Sequence, residues 1–216
     1  MKWRPGKFEY LFFFLVFLDL WAMHLYPGLR LLTKPLIVSS LLIRYVAVAA
    51  ERQQPIVMVG LIFALLGDIF LMFDSPMFFQ MGLGSFLVMQ LCYTAVFRKL
   101  PVAMTLFKWI GIAVVISIAA IFNIAFRDKF GAMQWPVFFY TLAIAAMVVT
   151  AIRQGSTELL IWGAALFMIS DLCLAYHKFV GPIPADGIVV MLTYAVAQYL
   201  IVNGFLSPFT QSTNGR

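Results

Sequence analysis

Residues 55–73 read Pro-Ile-Val-Met-Val-Gly-Leu-Ile-Phe-Ala-Leu-Leu-Gly-Asp-Ile-Phe-Leu-Met-Phe, an unbroken apolar run whose one ionisable side chain is Asp68. Crossing the hydrocarbon core of a bilayer takes ~20 helical residues, so this run predicts a transmembrane helix, and the carboxyl group inside it needs a reason. Cutting the rest of the chain at charges, prolines and glycines gives seven more such runs. The eight spans lie at about 8–26, 33–50, 55–73, 77–97, 106–126, 135–152, 158–176 and 185–206, followed by a polar tail at 207–216. Composition agrees: of 216 residues 63% are hydrophobic and 11% charged, and the mean hydropathy is +0.97, values that exclude a soluble globular chain. Eight spans use ~160 residues and leave about 56 for loops and tails, so a second, soluble domain has no room. The fold class expected is all-α, a single polytopic membrane bundle of eight transmembrane helices.

The basic stretch Lys2, Arg4, Lys7 before the first run resembles the start of a signal peptide. No small-x-small cleavage site follows, and Asp19 sits in the middle of the run, so it reads as a span. The net charge of +6 comes from fifteen Lys and Arg scattered one to three at a time between apolar runs. That is the pattern of membrane loops and not of a nucleic-acid-binding face. Cytoplasmic loops carry the excess of Lys and Arg. The side holding both termini has nine (Lys2, Arg4, Lys7, Arg52, Arg98, Lys99, Lys108, Arg153, Arg216) against five on the other (Arg30, Lys34, Arg127, Lys129, Lys178). Both termini are therefore expected in the cytoplasm, and short loops without a targeting extension favour a bacterial inner membrane. Arg44, inside the second run, either snorkels to the cytoplasmic surface, the blander reading, or faces a partner in the bundle. Cys92 and Cys173 lie in apolar runs and read as small packing residues.

The third run contains Leu66-Gly67-Asp68-Ile69-Phe70-Leu71 and the seventh Ile169-Ser170-Asp171-Leu172-Cys173-Leu174. Asp171 follows Asp68 by 103 residues, close to half the chain, as a duplicated four-helix unit would give. An even number of spans per unit makes the two halves run in the same direction, related by an axis along the membrane normal. Each aspartate then lies ~20 Å from the cytoplasmic start of its helix, in the outer half of the bilayer.

An ionised carboxylate near the middle of a span costs ~2.5 to 3.5 kcal/mol on insertion scales, so Asp19, Asp68 and Asp171 each need a compensating role. The plain role is a hydrogen bond or ion pair to a neighbouring helix, with Lys34 or Arg44 as the available cations. The functional role is a site, which the matched depth of Asp68 and Asp171 favours. Lys34 opens the second span within Thr33-Lys34-Pro35, where proline suits a first helical turn. His24 and His177 end their runs near the outer surface, as interfacial residues do. Tyr93 lies in the fourth run, and Tyr194 and Gln198 share one face of the eighth, positions that fit interhelical hydrogen bonds or a polar cavity. Asp74, Asp128, Glu158 and Asp186 lie at run edges and read as solvated.

The chain lacks His-Glu-x-x-His, Cys-x-x-Cys and Gly-x-Ser-x-Gly motifs and a phosphate-binding glycine loop, and it has two histidines. Zinc hydrolysis and serine-esterase chemistry are disfavoured, and neither metal nor cofactor is expected. Carboxylate chemistry or ion movement inside a bundle remains. From the residues alone an enzyme and a proton-coupled transporter fit about equally, with a lipid-binding scaffold behind them.

Gly67-Asp68-x-x-Leu71, Ser170-Asp171-x-x-Leu174-Ala175, Lys34-Pro35 and Tyr194-x-x-x-Gln198, on these runs, resemble the lysoplasmalogenase family of eight-span proteins, called YhhN-like in bacteria. One departure is Met89-Gln90-Leu91-Cys92-Tyr93, where the family pattern leads one to expect Ala-His-x-x-Tyr. The resemblance implies hydrolysis of the vinyl ether bond of a lysophospholipid drawn from the bilayer. The products would be a fatty aldehyde and glycerophosphoethanolamine or glycerophosphocholine. Such a bond breaks by protonation of its β-carbon to give an oxocarbenium ion that water captures, a transition state like that of glycoside hydrolysis, which a pair of carboxyl groups serves. On this reading Asp68 and Asp171 are the catalytic pair, with their order of roles open. Lys34 meets the substrate phosphate, and Tyr93, Tyr194, Gln198 and Asp19 position substrate or water.

Overall fold

The computed structural model describes residues 6–49, 54–97, 104–153 and 157–207. Lys2, Arg4, Arg52, Arg98, Lys99 and Arg216, on which most of the expected orientation rests, lie outside these residues, as does the polar tail beyond Ser207. Among the described residues all regular structure is helical. The helices are α1 (Lys7–Leu25), α2 (Arg30–Ala49), α3 (Pro55–Phe70), α4 (Pro76–Phe97), α5 (Leu106–Phe126), α6 (Gln134–Arg153), α7 (Glu158–Phe179) and α8 (Asp186–Leu206). Seven of the eight are long and apolar enough to cross a bilayer.

The exception is α3, which holds the run quoted above. It has 16 residues, or ~24 Å of helix, because the chain must turn back into α4 at Pro76. The apolar residues Leu71–Phe73 are used in that reversal, through the tighter bonds Met72 N–H to Ile69 C=O (3.2 Å) and Phe73 N–H to Phe70 C=O (3.2 Å). Asp68 therefore lies in the last turn of its helix, whereas α7 continues from Asp171 to Phe179. The start of α2 also differs from expectation. The helix begins at Arg30, after a 3₁₀ turn at Pro27–Leu29, so Pro35 falls inside it and not in its first turn. Proline has no N–H to give the carbonyl one turn back, a defect that membrane helices tolerate where neighbours can satisfy it.

The outer faces are apolar. Phe107 and Ile124 of α5 are 84% and 78% exposed, a surface that suits lipid and would be a liability in water. The bundle is a polytopic membrane fold with an internal two-fold pattern. Packing is most extensive between α3 and α4 and between α7 and α8; α1 with α2 is matched by α5 with α6, α2 with α3 by α6 with α7, and α2 with α8 by α6 with α4. These are the pairings of two four-helix units in tandem.

Lipid tails are as apolar as leucine, so close helix pairs in a membrane are made by shape, with small residues at the crossings. A Cβ on Gly163 of α7 would lie 2.7 Å from Ile201 Cγ1 and 3.0 Å from the carbonyl oxygen of Ala197, and one on Gly204 of α8 would meet Leu160. A Cβ on Gly60 of α3 would lie 2.6 Å from the Tyr93 ring of α4. At the opposite end of the bundle from Asp68, Arg44 faces partners and does not snorkel. Its guanidinium donates to Glu9 Oε1 (3.0 Å) and Asn203 Oδ1 (3.2 Å) and lies 4.2 Å from the centre of the Phe8 ring, tying α1, α2 and α8 together.

Gly163→Val places two methyl groups against backbone that cannot withdraw, whereas Gly84, where an added Cβ would meet nothing within 4 Å, accepts alanine. Thermal unfolding in detergent should show the midpoint of Gly163→Val lowered by roughly 2–10 °C and that of Gly84→Ala unchanged or raised. Equal midpoints would mean that the α7–α8 crossing is not set by this contact.

Candidate active site

A cavity of about 350 Å³ lies among the ends of α1, α2, α3, α7 and α8 that are remote from Arg44. Its polar wall is made by Arg30, Lys34, Asp68, Asp171, His177 and Tyr194, and its apolar wall includes Leu71, Phe86, Leu174 and Met191. Both aspartates are buried. The chain thus brings together two carboxyl groups from helices half a sequence apart, with two cations beside them.

Asp68 is held on both oxygens. Lys34 Nζ lies 3.5 Å from Oδ1, and the Tyr194 hydroxyl donates to Oδ2 at 2.7 Å. The tyrosine ring is fixed edge-on by Phe86 (5.8 Å) and Phe167 (5.6 Å). Gly67 belongs to this arrangement, because a Cβ there would lie 2.8 Å from the Phe86 ring. Glycine lets that ring lie against α3 beside the carboxylate. At the matching position in the other half, the Ser170 hydroxyl donates to the Val190 carbonyl of α8 at 2.9 Å.

Asp171 is held differently. The Tyr140 hydroxyl of α6 and the Gln90 amide of α4 (3.4 Å) both donate to its Oδ2. Among the described residues its Oδ1 accepts no hydrogen bond, and no cation lies within 4.0 Å of the carboxyl group. Gln90 is fully buried and its own Oε1 has no partner among those residues. This is the position at which the resembled pattern has histidine, and here an amide donor stands against the carboxyl group.

Of the other residues singled out in the sequence, Asp19, Tyr93 and Gln198 are behind the wall. Asp19 accepts from Thr33 Oγ1 (2.7 Å) and pairs with Arg30 (3.5 Å), so it holds the arginine that lines the cavity. The Gln198 amide donates to the Tyr194 hydroxyl (3.4 Å) and to Met89 sulfur (3.3 Å), and Tyr93 donates to Gln198 Oε1 (3.3 Å). Of the residues expected to bind substrate, Lys34 and Tyr194 line the cavity, while Gln198 and Tyr93 support Tyr194 from behind and Asp19 supports Arg30.

Tyr140, Gln90 and Arg30 are the site residues that the sequence did not single out. A signal for Tyr140 existed. The 103-residue offset sets it on Ile37, one helical turn from Lys34, so the half-chain echo pointed to this turn of α6. Arg30 looked like an ordinary loop charge because the start of α2 was expected three residues later.

The chain is similar to several proteins of known name. The chain is 30% identical over 154 residues to the bovine protein named lysoplasmalogenase TMEM86A, an alignment taking in 67% of this chain and 62% of that one. It is 30% identical over 126 residues to human lysoplasmalogenase TMEM86B, covering 58% of this chain and 53% of that one. The pig protein named lysoplasmalogenase TMEM86B is 48% identical over 63 residues, 29% of this chain and 26% of its own. The chain therefore aligns with less than two thirds of the length of these relatives. No solved structure matches it. The sequence profile of the YhhN family matches residues 29–205, which include every residue of the cavity wall named above, and the chain belongs to that family.

Proposed function

We propose that this protein hydrolyses the vinyl ether bond of a lysoplasmalogen, releasing a fatty aldehyde and glycerophosphoethanolamine or glycerophosphocholine. The observation that carries the reading is the pairing of Asp68 and Asp171 on one membrane-embedded cavity, one carboxyl group with a counter-ion and the other with an open oxygen. The names of the 30%-identical relatives support the same substrate.

The difference between the two environments supports one order of roles. Asp171 acts as the acid and delivers its proton from Oδ1 to the β-carbon of the vinyl ether, while Tyr140 and Gln90 hold Oδ2 and fix the orientation of the carboxyl group. The positive charge that develops on the ether carbon and oxygen is met by the Asp68 carboxylate, which Lys34 and Tyr194 hold in place. Water adds to the oxocarbenium carbon and gives up a proton to Asp171. The hemiacetal then collapses, its hydroxyl proton passing to the departing glycerol oxygen. The net change is one water consumed per bond broken, with both carboxyl groups restored.

Arg30 and Lys34 stand at the same wall as the natural partners of the substrate phosphate. With both termini in the cytoplasm, in a bacterial inner membrane, this wall lies toward the outer leaflet, and the lysolipid enters sideways from it.

The first test is aldehyde release by detergent-purified protein from 1-alkenyl lysophosphatidylethanolamine in the presence of a chelator, with the 1-acyl lipid as control. Aldehyde from the alkenyl lipid alone is expected; no turnover of either lipid by folded protein would overturn the reading and leave transport as the competing function. Asp68→Asn and Asp171→Asn should each lower kcat about 100-fold or more while the protein still inserts and purifies, and full activity in either would remove that residue from the mechanism. Arg30→Gln should act on binding, raising KM about tenfold with kcat largely kept. A fall in kcat at unchanged KM would argue against a phosphate contact.

A further inference from the structure

Beside the polar cavity runs a second one, an apolar cleft between α4, α6 and α7. The two share Leu71, Phe86, Asp171 and Leu174, so they meet at Asp171. Beyond the junction the cleft is walled by Leu83, Val137, Thr141, Ile144 and Ala175. Its few polar groups are already engaged: the Thr141 hydroxyl donates to the Val137 carbonyl (2.7 Å), and the Tyr140 hydroxyl is turned to Asp171. One end is closed by aromatic rings, with Phe79 and Phe179 packed edge to face at 5.7 Å. Ile144 lies toward the middle of α6, away from Arg30 and Lys34.

From this junction we infer that the cleft between α4, α6 and α7 is the subsite for the hydrocarbon chain of the substrate, and that its walls select the chain. The inference rests on the lysoplasmalogenase reading above. Two features favour this occupant. The cleft is continuous with the cavity that holds the cations, as the tail of an amphiphile is continuous with its head group. Asp171 is the one ionisable carboxyl group common to both, so a lipid with its phosphate at Arg30 and its chain in the cleft sets the bond between head and chain against Asp171 Oδ1. The free volume of the cleft is about 20 Å³, room for about one water molecule, so a chain is admitted only where side chains of its wall, half-buried Leu83 and Leu172 among them, move apart. In a membrane the chain leaves one apolar medium for another, so fit and not water exclusion decides which chains are accepted.

The test uses the full-length protein in detergent micelles and a hydrolysis-resistant 1-alkyl lysophosphatidylethanolamine carrying a photoreactive diazirine near the end of its chain. Crosslinks mapped by mass spectrometry should fall on α4, α6 and α7 at or beside Leu83, Thr141 and Ile144. Labelling confined to the outward face of α5 or spread over all lipid-facing surfaces would overturn the subsite. A second measurement compares short-chain and long-chain alkenyl substrates. Ala175→Phe and Leu83→Trp, which narrow the cleft and leave Asp68 and Asp171 in place, should lower kcat/KM for the long chain relative to the short chain by about tenfold. An unchanged ratio in both variants, with wild-type protein active, would remove the cleft from chain binding while leaving the reaction in place; wild-type protein inactive on every alkenyl lipid would instead remove the reading on which the subsite rests.

Discussion

Carrying a carboxylate into hydrocarbon without a partner is among the most expensive things a helix can do, and that constraint organises this bundle. Each buried acid dictates which helices meet. Glu9 with Arg44 joins α1 to α2 near one surface, and Asp19 with Arg30 and Thr33 joins the same two helices near the other. Asp68 draws in Lys34 of α2 and Tyr194 of α8, and Asp171 draws in Tyr140 of α6 and Gln90 of α4. In a medium that offers no hydrophobic drive between helices, these pairings and the glycine crossings fix the arrangement, while leucines and phenylalanines on the outside face lipid on equal terms with one another. The cavity exists where two of these pairings converge.

Much of this could be read from the residues. The eight apolar runs announced the helices, because a bilayer demands length and apolarity that little else explains, and Asp68 and Asp171 stood out as charges within them. Lys34 and Arg44 were visible as available cations, but which acid each would meet, and the uncharged partners, stayed hidden. Glu9, at the very start of the first run, drew no attention in the sequence, yet it anchors Arg44; Arg44 itself could be read two ways, since a side chain that reaches the surface can equally reach a neighbouring helix. Tyr140 carries no charge and sits among other aromatics in Trp135-Pro136-Val137-Phe138-Phe139-Tyr140, where apolar periodicity gives no sign that one hydroxyl meets a carboxyl group across a helix interface. The ends of helices were the other blind spot. Whether Leu71–Phe73 extend α3 or form its turn depends on where α4 must begin, a matter of tertiary packing that composition does not encode.

The two-fold pattern of the scaffold makes its chemical asymmetry informative. Each aspartate sits on the third helix of its four-helix unit, and each takes one partner from the second helix of its own unit and one from the last helix of the other. The frame is thus the same around both carboxyl groups, but its contents are not. The second helix offers an ammonium group to Asp68 and a phenol to Asp171; the last helix offers a phenol to Asp68 and an amide to Asp171. A duplicated frame with identical contents would present two equivalent carboxyl groups, neither committed to holding or to giving up a proton. Acid-catalysed cleavage through an oxocarbenium ion needs the opposite, a pair whose environments drive them apart. The exchange is not position for position, since the 103-residue offset sets Tyr140 on Ile37, one helical turn from Lys34, but the substitution of neutral hydrogen-bond donors for the cation gives the two carboxyl groups different environments. The same substitution leaves one oxygen of Asp171 open at the point where the polar cavity gives way to the apolar cleft.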